Sequence, residues 1–175
     1  MIISITTQEQ VADLRKSITQ NAEHSLAKLR TYTNTMDALH FFATVKFDKI
    51  GADPINGRSL NLIEQINQMY SDLVALAAVR YLLTCYPNQI FELHLGATAG
   101  YDIQSNDGQV IAECFAATSV TSNDKLNKDC RKLENTHAEH KYLFFYSHMD
   151  SEVVLQNRFH KYPNIHFKRF DHSDL

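Results

Sequence analysis

Apolar residues at Val11, Leu14, Ile18, Ala22, Leu26 and Leu29 recur three and four positions apart, with Thr7 ahead of them as an N-cap. That spacing predicts a helix over roughly 8–30. Met36, Leu39, Phe42 and Val45 continue a helical pattern, although the tail Val45-Lys46-Phe47 also suits an extended chain. The segment GADPING (51–57) is a turn-rich break. Ser59 then caps a second long helix over 60–85, whose apolar positions include Ile63, Ile66, Leu73, Val74, Ala77, Ala78, Tyr81 and Leu82. Tyr86-Pro87 ends it, because the residue before proline avoids helical angles.

Beyond position 88 the period shortens. Strands are predicted over 89–95, 101–105 and 109–116, the last two joined by Asn106-Asp107-Gly108. Asp-Gly between extended runs is a strong hairpin signal, since a type I′ turn needs positive φ at both central residues. Thr121, Ser122, Asn123 and Asp124 offer N-caps for a helix over 125–136. A strand (141–146), a helix (151–160) and a strand (165–170) follow. A hairpin feeding β-α-β steps predicts an α/β fold with a mixed central sheet flanked by helices. Residues 1–58 form an N-terminal helical region packed on an α/β core over 59–175, one domain overall.

Composition narrows the function. The chain of 175 residues has 44% apolar and 21% charged residues, enough to bury a core. No run of 18 or more apolar residues exists, as a membrane-spanning helix would require. The start MIISITTQEQ lacks the basic n-region of a signal peptide. Three cysteines without C-x-x-C spacing argue against a disulfide framework or structural zinc and suggest an intracellular, cytoplasmic protein. His137 and His140 have i, i+3 spacing but no third ligand nearby, and a helix C-terminus already favours histidine.

The net charge of −3 argues against coating nucleic acid by bulk charge. Residues 1–120 carry eight Lys/Arg against twelve Asp/Glu, whereas 121–175 carry nine against eight. The densest basic run is Lys125, Lys128, Arg131 and Lys132, which reads as a solvated helix face or a nucleic-acid contact. The N-terminal helix packs on its own domain, meets a nucleic-acid backbone through Arg15, Lys16, Lys28 and Arg30, or meets a second copy in a homodimer.

The hairpin carries the chemistry. With Asp107-Gly108 as a two-residue loop, Asn106 faces Gln109 and Asp102 falls opposite Glu113, on one face with Cβ atoms about 4.5–5.5 Å apart. Two carboxylates so placed repel unless a cation lies between them or one takes a proton. A divalent ion such as Mg²⁺, which accepts one or two carboxylates and completes its shell with water, is the simplest answer. Glu113 also interrupts the otherwise apolar run VIAECFAA.

An acid in the first hairpin strand (GYDI), a second late in the next (VIAECF) and a following helix that begins with Lys125 resemble the PD-(D/E)XK phosphodiesterase superfamily, of restriction-endonuclease-like fold. The resemblance covers about 59–170. It implies a four-stranded mixed sheet and Mg²⁺- or Mn²⁺-dependent cleavage of nucleic acid, here DNA, with Asp102 and Glu113 as metal ligands. Glu64 resembles the additional helix glutamate of some members, which would bind a second metal or orient water. Phe115 stands where the family has its lysine. Either Lys125 or Lys128 supplies that charge while Lys128, Arg131 and Lys132 contact the nucleic-acid backbone, or hydrolysis is lost and the domain binds nucleic acid or a partner protein.

Overall fold

The computed structural model describes residues 1–96, 99–150 and 152–175. Nine predicted elements appear within a few residues of their expected bounds. The first five are the helix α1 (Gln8–Thr35), the helix α3 (Leu62–Cys85), and the strands β4 (Phe91–His94), β5 (Ile103–Ser105) and β6 (Val110–Ala117). Thr7 caps α1 in a capping box with Gln10, as its position suggested. The ambiguous tail is helical: α2 (Ala38–Phe47) runs through Val45 to Phe47 and is capped by Asp37. Then come the short strands β2 (Gly51–Ala52) and β3 (Ser59–Leu60), which pair with each other. Ser59 is thus a strand residue, and Asn61 takes the predicted capping role, in a box closed by Glu64.

The rest of the chain is α4 (Lys125–Glu134), β7 (His140–Ser147), α5 (Glu152–Phe159) and β8 (His166–Phe170). Ser151, the expected first residue of the last helix, lies outside the described residues. No side chain caps α4; Asn123 and Asp124 lead into it with positive φ. His137 and His140 do not share a helical turn, because α4 has ended and His140 opens β7.

The N-terminus brings a further strand. β1 (Ile2–Ile5) lies antiparallel along β4, so the segment expected to be only helical also contributes an edge to the sheet. The sheet order is β1-β4-β5-β6-β7-β8, with antiparallel pairing from β1 to β6 and parallel pairing from β6 to β8. This is the mixed, helix-flanked sheet that the sequence predicts, with six strands. Each parallel step needs a crossover, and α4 and α5 supply them.

Strand alternation divides the core. Val110, Ala112 and Cys114 of β6 face α1 and α3, packing with Val74, Ala78, Leu82, Leu93 and Phe144. Ile111 and Phe115 face the other way, onto Leu126, Cys130 and Leu133 of α4 and Leu155 of α5. The buried side chains of α4 stand at i, i+4 and i+7, which turns Lys125, Asp129 and Lys132 along one adjacent stripe. No described helix is long and apolar enough to cross a membrane. The apolar residues Leu39, Phe42 and Phe47 of α2 are exposed.

Candidate functional site

The hairpin has the expected register by a different turn. Ile103 pairs with Ala112 and Gln104 with Ile111, the alignment that sets Asp102 against Glu113. However, the bend is centred on Asn106 and Asp107, with Gly108 N–H donating to Ser105 O at 2.9 Å. Only Gly108 has positive φ, at 71°, so this is not a type I′ turn. Asp107 organises the loop with its carboxylate, accepting from Ser105 Oγ (2.6 Å), Gln89 Nε2 (2.6 Å) and Gln109 N–H (3.0 Å).

The β5–β6 ladder ends at Ile103↔Ala112, whereas β6 runs on to Ala117 beside β7. At the opening, Asp102 Oδ2 accepts the Cys114 N–H at 2.7 Å, and Asp102 O accepts from His94 N–H at 2.8 Å. The side chain has taken the place of a ladder acceptor. Asp102 thus reaches to the backbone of Cys114, while its charge still acts on Glu113. Asp102 sits at the rim and lines a cavity of about 880 Å³ on the α3 side, together with Asp72, Gln68, His94 and Cys114. Glu113, 2% exposed, alternates onto the α4 side with Ile111 and Phe115.

Lys132 meets Glu113 there. Its Nζ is 2.5 Å from Glu113 Oε1 and donates to Gly100 O at 2.5 Å, with the Tyr101 ring 5.0 Å away. The ammonium thus engages Glu113 Oε1 directly. Lys125 Nζ donates to Asp129 Oδ1 at 2.8 Å. Lys128 is exposed and donates to Asn123 O, and Arg131 lies on the exposed face of α4. Of the basic run, Lys125 and Lys132 thus approach the acids, and Lys128 and Arg131 do not. Phe115 is buried and stacked on Phe145, which leaves no room for a cation at that position.

Asp72, from α3, was not singled out by sequence. It is 3% exposed, its Oδ2 has no hydrogen-bond partner, and it lines the same cavity as Asp102. The signal was a polar stripe, Gln65-Gln68-Asp72, at i, i+3 and i+7 along an apolar helix. Gln65 ties α3 to the short hairpin by accepting from Ala52 N–H, and Gln68 donates to Asp53. Glu64 also lines the cavity, but its carboxylate is engaged in capping α3.

Three buried acids, Asp72, Glu113 and Asp129, and the half-buried Asp102 therefore lie close enough to repel one another. Burial, then the charges of Asp53 and Asp102, push Asp72 up to about 7. Burial and the Asp102 charge push Glu113 up to about 7, against the pull of Lys132. Asp102 is raised by burial, opposed by the Cys114 N–H and by Lys125, Lys132 and His94. Asp129 is raised by burial in spite of Lys125. Burial works to lower Lys125, but its bond to Asp129 and the surrounding carboxylates outweigh it and hold the ammonium charged. The site carries more negative charge than its lysines offset.

Its donors are hard oxygens, and one of them, Asp72 Oδ2, is buried without a hydrogen bond among the described residues. Among the described residues no group of three or more His, Cys, Asp or Glu is arranged to hold a metal. No family model, curated protein or solved structure matches the chain.

Proposed function

We propose that this domain is a metal-dependent phosphodiesterase of restriction-endonuclease-like type that cleaves DNA. The observation that carries the reading is the run of buried and half-buried, under-neutralised carboxylates near the open end of the β5–β6 ladder, flanked by lysines from α4. Asp102 and Glu113 would hold Mg²⁺ or Mn²⁺. When bound, the ion polarises the scissile phosphate and offsets charge on the transition state. Asp72, with a free oxygen in the cavity and an affinity for protons matched to neutral pH, takes a proton from the attacking water. Lys132 and Lys125 reach the acids from α4 and supply the positive charge that Phe115 cannot. Lys49 and Arg58, on the far wall of the cavity, meet the phosphate backbone.

Asp102→Asn is expected to abolish Mg²⁺-dependent cleavage of a labelled DNA while preserving the fold. Cleavage by the wild type should rise as pH climbs through about 7, as Asp72 loses its proton. Undiminished cleavage by the variant would remove the proposal.

One observation favours a second reading. Lys132 already lies against Glu113, as a tethered cation would in a binding module that has lost catalysis. Thermal melting separates the two. A metal-binding site gains about 2.7 kcal/mol at a hundredfold excess of Mn²⁺ over its Kd, whereas the binding module shows no shift.

A further inference from the structure

A second cleft opens where β6 and β7 end. It measures about 420 Å³, and Ile66, Asn67 and Tyr70 of α3 line it opposite Ala116, Tyr146 and His148. Tyr70 and Tyr146 lie nearly parallel, 18° apart with ring centroids 6.3 Å apart, and both are half-buried. Ala116 is the register neighbour of Tyr146, so only a methyl group flanks that ring on the β6 side. Among the described residues no Lys, Arg, Asp or Glu lines the cleft, so none of these lining side chains brings a fixed charge to a phosphate or a metal ion. The rim offers an amide (Asn67) and an imidazole (His148), which match the donors and acceptors on the edge of a heterocycle. A flat aromatic wall with polar edges and no fixed charge fits a planar, neutral, hydrogen-bonding ring.

We infer that this cleft holds an unpaired nucleobase of the strand whose backbone lies at Asp102. The inference rests on the nucleic-acid reading above and deepens it: the substrate is single-stranded, or locally unpaired, at the site. Position supports the link. Asn67 lines both cavities. Cys114, beside Asp102, and Ala116 lie two residues apart on one face of β6, about 7 Å along the strand, a span that one nucleotide bridges. Stacking on an aromatic side chain tolerates any base, since every base has a π-face.

The test compares two fluorescent probes of equal length in EDTA, a short oligothymidylate and its abasic deoxyribose-phosphate counterpart. The wild type should prefer the oligothymidylate. Tyr70→Leu should reduce that affinity roughly tenfold, as expected for one lost stack, without changing affinity for the abasic probe. Tyr146→Phe, which keeps the ring, should retain the preference, and melting curves verify that both variants fold. Equal wild-type affinity for the two probes, no binding of either, or an unchanged preference in Tyr70→Leu would overturn the inference. Metal is absent throughout, so failure of the hydrolytic reading would appear separately, as base-dependent binding without Mg²⁺-dependent cleavage.

Discussion

On the α4 side of the sheet the buried acids come with cations from the chain itself, Lys132 for Glu113 and Lys125 for Asp129. On the α3 side Asp72 faces two more acids, Asp53 and Asp102, and its nearby support is the Gln68 amide and the field of the N-terminal ammonium. Burial is nearly the same in the two places, at 2% and 5% exposure for Glu113 and Asp129 and 3% for Asp72. What differs is solvent access beyond the carboxylate. The α4 acids are covered by a helix that must bring charge with it, whereas Asp72 looks into an open cavity. A buried carboxylate without a fixed partner is costly, and a cavity allows that partner to be exchangeable. The acids covered by α4 have a lysine against them; among the described residues Asp72 has no lysine or arginine paired with it.

The comparison can be broken most sharply at Lys132. Lys132→Met leaves Glu113 buried beside other acids and should destabilise the fold by roughly 3 kcal/mol, at the low end for a broken buried pair because Lys132 is itself partly solvated. The double variant Lys132→Met with Glu113→Gln should recover most of that loss in chemical denaturation. No recovery would mean that Lys132 acts through packing on Tyr101.

Asp72→Asn should do the opposite. Asp72 binds its proton more tightly in the folded state than in the unfolded chain, where it titrates near 3.8. The wild type therefore loses stability as pH rises from about 4 to about 7, and the loss persists above that range. Asparagine removes this slope, so the variant should match the wild type at pH 4 and exceed it at pH 8 by up to about 4 kcal/mol, while losing cleavage. Melting at the two pH values checks the sign.

The smallest effect is expected at Gly100, where φ is +108° and an added Cβ would lie 3.1 Å from the His94 ring. Gly100→Ala should cost about 1 kcal/mol from backbone strain, read by melting, and should weaken the Lys132 contact to the Gly100 carbonyl.

Much of this arrangement was legible in the chain. The capping signal at Thr7, the helix ending before Pro87, and the strand–helix alternation after residue 120 all fold as their local chemistry dictates. The hairpin register was also readable, because hydrophobic alternation fixes which residues of β5 and β6 face the core, even though the turn differs. Three features were hidden for physical reasons. β1 is four residues long and depends on β4 for its pairing, so it carries almost no periodic signal of its own. The bond from the Cys114 amide to the Asp102 carboxylate is a side chain competing for a backbone donor, which no pattern of apolar residues encodes. Asp72 lies within the apolar run SDLVALAAV, where helical period alone does not distinguish a buried acid from one facing water.

Gly100 has a wider consequence. By lacking a side chain it admits the His94 imidazole on one surface, and with its carbonyl it anchors Lys132 on the other. A single peptide is thus a mechanical hinge pin between the two halves of the charge array. A side chain added at this position would therefore disturb an imidazole on one surface and the carbonyl that holds an ammonium on the other.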